Sequence, residues 1–342
     1  SLKNDRFFLL FSELKYIASL KFFCMERNMI INVGARTDIV NHYGAWLLER
    51  FRKGFVFTRN PLFPNRVTQY ELSPDKVDAV IFCSKNYAPI LGTLHEITDS
   101  YRTYFHYTIT AYGKDVEPNV PDIDASIRTL KELSSLIGRE KLAWRYDPVL
   151  LTHAYTVERH IQTFSYLCEH IAQYVSRCIF SFVEMYAKLA HNMPELIPLT
   201  HEQKNALAKA FAETAKRYNL PIQTCSTRDT FPQYGIAATG CITLKTLGEA
   251  NRCIFRDVKH NGLRRGCLCI ESRDVGWYDT CPNFCKYCYA NKSEAAVREN
   301  MRQHDVHSPL LIGHLNDDDV LIKGNQASFL KSDGRQISLF DL

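Results

Sequence analysis

The sequence predicts an α/β fold, a partial or closed TIM-like β/α barrel that is followed by a cysteine-rich segment. Short runs of β-branched and aromatic residues alternate with stretches of helical periodicity from Met29 onward, which is typical of a parallel sheet buried on both faces. Polar side chains follow these runs, and closely spaced cysteines come after the last of them. The alternating order of strands and helices indicates the α/β class.

Six runs are predicted to form the strands of the barrel, because each is short, apolar and rich in β-branched or aromatic residues. They comprise residues 30–33, 79–82, 104–109, 142–145, 178–182 and 222–224. Residues 54–58 are a candidate for an additional edge strand or hairpin.

Stretches of helical periodicity lie between the predicted strands and after them, at residues 43–51, 124–137, 156–174, 200–218 and 293–303. The first stretch places Trp46, Leu47 and Phe51 on one face. Gly138 directly follows the second and is a common helix stop.

Four segments are predicted along the chain. Residues 1–28 are interpreted as an accessory helix or as an upstream extension with a non-native start, and charged residues interrupt each of their apolar clusters. No run there approaches the roughly 18 apolar residues that a membrane span needs. The barrel is expected to occupy residues 29–225, the cysteine-rich segment 226–304 and a C-terminal tail 305–342.

The overall composition sets limits on compartment and partners. A formal net charge of +5, from 42 basic and 37 acidic residues, permits a nucleic-acid partner but does not by itself indicate one. Twelve cysteines without a secretory signal favour a reducing compartment, in which thiols act as metal ligands or catalysts. The cytoplasm is therefore the expected location.

Polar residues occupy the carboxyl ends of the predicted strands, from which barrel enzymes build their sites. Each residue alone is equally compatible with an ordinary loop or helix cap, but several strand ends together favour one shared cavity. The arginines suggest an anionic substrate such as a nucleotide or nucleic acid. The expected lining residues are Arg36, Asp38, Arg59, Arg145, Asp147 and Glu184.

The strongest motif is a C-x3-C-x2-C triad formed by Cys281, Cys285 and Cys288, with Tyr287 before the last cysteine. Three closely spaced thiolates can hold three irons of a [4Fe–4S] cube and leave the fourth iron open. This arrangement resembles the motif of radical SAM enzymes, in which the open iron chelates S-adenosylmethionine. The triad is therefore the predicted catalytic cluster site.

A structural zinc site is the first alternative for the triad. Close cysteines with a remote fourth ligand, such as His260 or Cys269, also suit tetrahedral Zn²⁺. Zinc knuckles, however, favour two C-x2-C pairs over an asymmetric triad. Thiols without any ligand are the second alternative.

Four more cysteines precede the triad, and four thiolates complete either a cluster or a zinc tetrahedron. An auxiliary [4Fe–4S] cluster is the preferred interpretation, with structural zinc as the alternative. The predicted ligands are Cys225, Cys241, Cys267 and Cys269. By contrast, Cys24, Cys83, Cys168 and Cys178 lie in apolar patterns and are interpreted as small buried hydrophobic residues.

Several segments resemble a bacterial and archaeal family known as domain of unknown function 1848, whose C-terminal cysteines look like the N-terminal cluster of radical SAM proteins. These segments are residues 32–38, 59–61, 144–148 and 266–269 together with the triad. The resemblance covers nearly the whole chain after Met29. It implies a permuted radical-SAM-like barrel, in which the cluster loop follows the last strand and not the first.

The chain departs from the radical SAM pattern where S-adenosylmethionine is held. No Gly-Gly-Glu follows the second predicted strand, and no Gly-x-Ile-x-Gly lies on the fifth. The residues that could replace those contacts are Arg36, Asp38, Lys85, Glu184 and Gln223.

The last residues suggest a partner. Residues 336–340, Gln-Ile-Ser-Leu-Phe, resemble the pentapeptide that docks bacterial DNA polymerases and repair proteins onto the sliding clamp. Leu339 and Phe340 could fill a hydrophobic groove while Gln336 hydrogen-bonds at its edge. The alternative is a terminal strand that packs on the barrel. A basic set, either a phosphate contact or an ordinary solvated face, consists of Arg252, Arg256, Lys259, His260, Arg264 and Arg265.

Two functions follow from these observations. The first is a radical SAM-type oxidoreductase or lyase that acts on nucleic acid or a nucleotide, in DNA repair or modification, with flavodoxin or ferredoxin as reductant. Its candidate catalytic residues are Arg36, Asp38, Arg145, Asp147 and Glu184, and its cofactor contacts are Cys281, Cys285, Cys288, Lys85 and Gln223. The second is a non-catalytic, metal-stabilised module that associates with nucleic acid. An electron-transfer protein is a third option.

Overall fold

The computed structural model describes residues 29–225, 229–256, 267–326 and 328–330. Its strands are β1 (Ile30–Val33), β2 (Phe55–Arg59), β3 (Arg66–Glu71), β4 (Ala79–Ser84), β5 (Thr103–Thr108), β6 (Leu142–Val149), β7 (Arg177–Phe182), β8 (Ile222–Thr224), β9 (Ala237–Ala238), β10 (Arg273–Asp274) and β11 (Val320–Lys323). Its helices are α1 (Ile39–His42), α2 (Gly44–Lys53), α3 (His95–Thr98), α4 (Ile123–Ile137), α5 (Val157–Ile171), α6 (Ala187–Asn192), α7 (His201–Arg217), α8 (Leu244–Asn251) and α9 (Glu294–Arg302).

Eight strands form one sheet in the spatial order β10-β1-β4-β5-β6-β7-β8-β9. Every neighbouring pair in this sheet is parallel, so the connections between strands must cross over, and most contain a helix. The six strands that the sequence predicts are all present, as β1 and β4 to β8. The predicted α/β class is confirmed.

The sheet is open. Within the described ranges no pairing joins β9 to β10, the two edge strands, each of which has two residues. The chain that follows β9 crosses the inner face of the sheet instead, where the Ile270 N–H donates to the Ile242 carbonyl at 2.9 Å. The predicted closed TIM-like barrel is therefore not formed, and the chain has an open, parallel eight-stranded sheet instead.

The outer face of the sheet packs against helices α4, α5 and α7. Alternate strand residues such as Phe105 and Trp144 are buried there, as the two-residue period of a strand requires. Trp144 stacks on Phe164 of α5 with ring centroids 5.0 Å apart, and Phe164 stacks on Phe211 of α7 at 4.2 Å. Burial of one such ring contributes roughly 2 to 3 kcal/mol, so this aromatic column holds the two helices to the sheet.

The inner face is divided along the strands into an apolar and a polar half. The half near the amino ends packs against α8 and is formed by Ile30, Ala79, Ile81, Tyr104, Ala143 and Ile179. By alternation and register, the half near the carboxyl ends carries Asn32, Cys83, His106, Arg145, Ser181 and Gln223. Helix α8 thus forms an apolar floor beneath a polar interior.

The helix boundaries follow the capping residues of the sequence. Asp122 caps α4 by accepting from the Ala125 N–H at 2.7 Å, and the predicted stop at Gly138 is confirmed by its N–H bond to the Ser134 carbonyl at 3.0 Å. Thr200 and Gln203 form a reciprocal capping box at the start of α7. The five predicted helices appear as α2, α4, α5, α7 and α9.

A second, three-stranded sheet joins the C-terminal segment to the body of the protein. Strands β2 and β3 form the predicted hairpin, and β11 pairs in parallel with β3. Arg59 donates to the Asp319 carboxylate from both terminal guanidinium nitrogens, Nη1 and Nη2. Asp319 is therefore held in the folded part of the chain, and its side chain is 3% exposed. The clamp-like motif at 336–340 lies outside the described residues.

His160 is a buried, neutral histidine beneath the loop that follows β6. Its Nε2 donates to the Leu150 carbonyl at 2.7 Å, because a carbonyl can only accept, and its Nδ1 therefore accepts from the Tyr146 hydroxyl at 2.8 Å. Burial lowers the pKa of His160 to about 4. The folded protein thus disfavours protonation of this ring.

This lowered pKa predicts a loss of stability on acidification. Between the unfolded pKa near 6.5 and the folded pKa near 4, the unfolded chain binds the extra proton, so stability is present above pH 6.5 and falls as the pH drops. The contribution of His160 is of the order of 2 to 3 kcal/mol. Urea unfolding at pH 7.5 and pH ~5 should show a smaller loss for His160→Gln than for the wild type. An equal loss in both proteins would contradict the assignment.

Candidate metal centres

The cysteine triad lies on the loop that follows β10, beside the carboxyl ends of the strands. Strand β10 pairs with β1, with Asn32 opposite Asp274, and the Val275 N–H donates to the Asn32 carbonyl at 3.1 Å. The loop therefore leaves the sheet at the edge where the polar strand ends lie. Two backbone contacts fix it there, since the Tyr43 hydroxyl donates to the Thr280 carbonyl at 2.6 Å and the Lys286 N–H bonds the Val116 carbonyl at 3.0 Å.

Asp38 anchors the triad loop to the ends of β1 and β4. Its Oδ1 accepts from the Ser84 hydroxyl at 2.6 Å, and its Oδ2 accepts from the Lys85 N–H at 2.9 Å. The same Oδ2 accepts from the Asn283 side-chain amide at 3.1 Å, inside the triad itself. With both oxygens engaged by protein donors, Asp38 positions the loop.

The three thiols of the triad influence one another electrostatically. Burial, then the charges of Asp38 and Cys288, raise the pKa of Cys281 to about 12. Burial also raises the pKa of Cys285, assisted by Glu117 and by the other two cysteines, whereas Lys85 lowers it. Three adjacent thiolates are thus unfavourable by themselves, and a bound cation would offset this by displacing their protons.

The sulfurs of the triad are spaced more widely than those of the other cysteine group. Among the described residues, the group whose ligand atoms all lie within 4.8 Å of one another comprises Cys225, Cys241 and Cys269, and the triad does not meet this limit. A single tetrahedral zinc ion needs its sulfurs about 3.8 Å apart, given Zn–S bonds of about 2.3 Å. In a cube each thiolate binds a different iron, so wider spacing is required.

Glu117 and Lys85 form a charged pair beside the triad. Glu117, which is 3% exposed, accepts through Oε1 from Lys85 Nζ at 2.9 Å, from the Thr110 hydroxyl at 2.8 Å and from the Tyr287 hydroxyl. Burial lowers the pKa of Lys85, but Glu117 and Cys285 outweigh it and raise that pKa overall. The ammonium is therefore charged beside Cys285. Sequence reasoning missed Glu117, because an acidic residue in a loop is the norm.

Arg145 and Asp147 form a second charged pair on the inner face. Asp147 accepts from Arg145 and from the Ser181 hydroxyl, and Arg145 Nη1 lies 3.7 Å from the Cys83 sulfur. The interpretation of Cys83 as a small core residue is therefore wrong, because its thiol faces this polar interior. Cys168 and Cys178 are buried in the outer core as predicted, and Cys24 lies outside the described residues.

Several buried polar atoms of the interior lack a hydrogen-bond partner. They include both ring nitrogens of His106, Nε of Arg145 and Oδ1 of Asn32. Such atoms are rare in protein interiors and indicate water or a ligand. Burial, and then Arg145, lower the pKa of His106 to about 3, so this ring is neutral. The polar half of the inner face can therefore offer both donors and acceptors.

The other predicted site residues are dispersed. Arg36 bonds Asp274 at 3.3 Å and ties β1 to β10, whereas Glu184 is exposed in the loop after β7. Gln223 donates to the Gly240 carbonyl at 3.1 Å and so supports the chain next to Cys241, away from the triad loop. Arg59 lies in the small sheet with Asp319 and does not line the interior.

Loss of the Arg145 guanidinium should destabilise the interior. Arg145→Met leaves Asp147 without its cation, and the two side chains are 20% and 16% exposed, so we expect a loss of about 2 to 3 kcal/mol. The double variant Arg145→Met/Asp147→Asn should recover part of it, because the stranded charge is removed. Guanidinium unfolding of both variants measures this. A double variant less stable than the single one would contradict the pairing.

The second cysteine group lies below this interior. Cys225 and Cys241 form a disulfide, and Cys269 completes the group within 4.8 Å. The Cys241 N–H donates to the Cys269 sulfur at 3.2 Å, and the Cys269 N–H donates to the Cys267 sulfur at 3.4 Å. The sequence favours a reducing compartment with unpaired cysteines, and this disulfide differs from that expectation. All four predicted cysteines meet here, so Cys269 is not the remote fourth ligand of the triad.

One family model matches the chain, that of a domain of unknown function (DUF1848), over residues 30–290. The matched range begins at β1 and ends two residues beyond Cys288, so it includes the large sheet and both cysteine groups. No curated protein and no solved structure matches the chain. Over the described ranges, every helix is too short or too polar to span a membrane.

Proposed function

The chain belongs to the domain of unknown function 1848 family, and from this premise we propose that it is a radical-SAM-like enzyme with a [4Fe–4S] cluster on Cys281, Cys285 and Cys288. The single observation that carries the proposal is the position of the triad, on a loop that leaves the sheet beside the polar carboxyl ends of its strands. Such ends are where α/β barrel enzymes place their chemistry.

The residues of the triad fit a cube with one open iron. They offer three thiolates, their sulfurs do not all lie within 4.8 Å of one another, and a buried lysine adds positive charge beside Cys285. When bound, this cluster supplies the one-electron cleavage of the sulfur–carbon bond of S-adenosylmethionine and hence a radical that abstracts hydrogen from substrate.

The protein residues bind and orient the reactants. Lys85, held by Glu117, balances the negative charge of the thiolate ligands, which favours the reduced state. Arg145 is held by Asp147 and has an unpartnered Nε, so it offers a donor to an anionic group such as a carboxylate or phosphate. Asp38 acts as a positioning residue. Arg36, Glu184 and Gln223 remain candidates for contacts with S-adenosylmethionine or substrate.

The substrate class and partners belong to the same proposal. The arginine at the inner face suits a nucleotide or nucleic acid, in repair or modification of DNA. The tail at 336–340 is proposed to dock on a sliding clamp, and a flavodoxin or ferredoxin to supply the electron, in the cytoplasm. Deletion of residues 336–342 followed by a clamp-binding measurement tests the tail separately, and undiminished binding would overturn that role.

Product analysis tests the proposed enzyme. The protein is reconstituted anaerobically with iron and sulfide, reduced with dithionite and incubated with S-adenosylmethionine, and 5′-deoxyadenosine is quantified by chromatography. The expected result is 5′-deoxyadenosine that depends on both cluster and reductant. A reconstituted, iron-loaded protein that forms none would overturn catalysis. A colourless protein that binds only zinc would favour the non-catalytic, metal-stabilised module. The second cysteine group supports that alternative, because its sulfurs could hold a metal ion.

A further inference from the structure

The second cysteine group, termed here the floor cysteines, comprises Cys225, Cys241, Cys267 and Cys269. It lies where the apolar floor meets the polar interior: Cys241 and Cys269 are buried in the inner core cluster, and the other two pack against it. Three of the sulfurs lie within 4.8 Å of one another. The fourth, that of Cys267, accepts from the Cys269 N–H at 3.4 Å.

Two backbone segments that carry floor cysteines approach each other closely. A Cβ on Gly240 would lie 2.4 Å from the Leu268 carbonyl oxygen and 2.9 Å from Cys269 Cα, so only glycine lets the two chain segments meet. Gln223 holds the Gly240 carbonyl at 3.1 Å. Cys225 and Cys241, which are 16 residues apart in sequence, are thus brought together, and so are Cys241 and Cys269, which are 28 residues apart.

Positive charge lies next to the floor cysteines. Arg145 interacts electrostatically with Cys269 as well as with Cys83 and Asp147. A site of four thiolates around a divalent cation carries a net negative charge, which a nearby guanidinium offsets. Leu247 and Phe255 belong to the same apolar cluster as Cys241 and Cys269 and help to bury these two cysteines.

We infer that the floor cysteines bind one Zn²⁺ ion in a closed tetrahedral site, separate from the triad. Four sulfurs around one zinc lie about 3.8 Å apart, since each Zn–S bond is about 2.3 Å. The sulfurs of Cys225, Cys241 and Cys269, which all lie within 4.8 Å of one another, accommodate that spacing, and Cys267 is next to Cys269 as the fourth ligand. An auxiliary [4Fe–4S] cluster would place each sulfur on its own iron and spread them farther. Four thiolates leave no open position, so the ion is structural and fixes α8 and its flanking loops as the floor of the interior.

Zinc binding by these residues requires the disulfide to be reduced. A dithiol such as dithiothreitol supplies two electrons and two protons, so that the Cys225–Cys241 bond yields two thiols while the dithiol becomes a cyclic disulfide. Zinc then displaces the protons of the four thiols and binds four thiolates.

The metal content of variants that lack the triad tests whether the floor cysteines bind zinc. A triple variant, Cys281→Ala/Cys285→Ala/Cys288→Ala, is purified under reducing, anaerobic conditions with zinc and iron available, and the metals are counted. We expect one zinc per chain and no iron. Adding Cys269→Ser should lower zinc to near zero, whereas adding Cys253→Ser, a free cysteine outside the group, should leave it unchanged. Zinc retained after Cys269→Ser, or iron in place of zinc, would overturn the inference.

X-ray absorption of the same triple variant needs no change at the floor cysteines, so it applies even where Cys269→Ser fails to fold. The expected zinc spectrum has one shell of four sulfurs at about 2.3 Å. Iron with iron–iron scattering would identify an auxiliary cluster, and nitrogen or oxygen ligands would identify a different site; either result overturns the inference. Because the triad is absent, the result does not depend on the proposed radical chemistry.

Discussion

Cys285→Ala is expected to remove the catalytic cluster and to abolish cleavage of S-adenosylmethionine. A cube bound by two thiolates lacks one protein ligand, and Cys285, the central cysteine of the motif, interacts electrostatically with Lys85 and with the other two sulfurs. After anaerobic reconstitution, the wild type should bind about four irons at the triad and absorb broadly near ~400 nm. The variant should lose most of this iron and form no 5′-deoxyadenosine.

Cys253→Ser is the matched control for this prediction, since Cys253 is a free cysteine that belongs to neither cysteine group. It should retain full iron content and activity. Unfolding curves of both variants should be close to that of the apo wild type, which separates loss of the cluster from loss of the fold. If Cys285→Ala kept its iron and its activity, the triad would not be the cluster site.

Gly34→Ala is expected to be the most destabilising single substitution in the sheet. Gly34 follows β1 with φ at +127°, and a Cβ there would lie 2.1 Å from the backbone oxygen of Cys83. Backbone atoms cannot move aside as a flexible side chain can, so the strain of the positive φ and the overlap both remain. Together they should lower the free energy of unfolding by about 3 to 5 kcal/mol.

Gly54→Ala provides the comparison, because Gly54 also has a positive φ, +75°, but nothing lies within 4 Å of its Cβ position. Only the backbone strain applies there, and the expected loss is about 1 to 2 kcal/mol. Guanidinium unfolding of the two variants at neutral pH compares them directly. Equal losses would mean that Gly34 is not held against Cys83, and that the turn carrying Arg36 and Asp38 is less constrained than described.

The strands of the fold could be predicted because their own residues specify them. Runs such as 79–82 are apolar and β-branched whatever their neighbours are, so β4 is visible in the sequence. Strands β9 and β10 are not, since each has two residues and exists only through pairing with β8 and β1. The open edge of the sheet depends on those two strands and could not be derived from local patterns.

The site was predictable where residue type and spacing carry the chemistry. The triad and the four floor cysteines are recognisable as thiol groups before their positions are known, and the Arg145–Asp147 pair lies at the end of a predicted strand. Cys83 was misinterpreted because its strand is otherwise apolar. Register pairs it with His106, and both side chains then fall in the polar half of the inner face. Such cross-strand neighbours are a property of the sheet, not of any one segment.

The position of Gln223 shows a further limit of sequence reasoning. It lies near a strand end, as Lys85 does, but its amide supports the chain next to Cys241 at the floor, while Lys85 pairs with Glu117 beside Cys285. The strand on which a residue lies does not reveal which of the two cysteine groups it lies next to. That depends on where the later cysteine segments cross the sheet.

Electron paramagnetic resonance of the reduced, reconstituted protein tests the central claim most directly, since it reports whether the triad holds a cluster with an open iron. We expect a [4Fe–4S] signal whose g-values change when S-adenosylmethionine is added, because the substrate binds the iron that has no cysteine ligand. A signal that S-adenosylmethionine leaves unchanged, or a protein that forms no cluster on Cys281, Cys285 and Cys288, would contradict it.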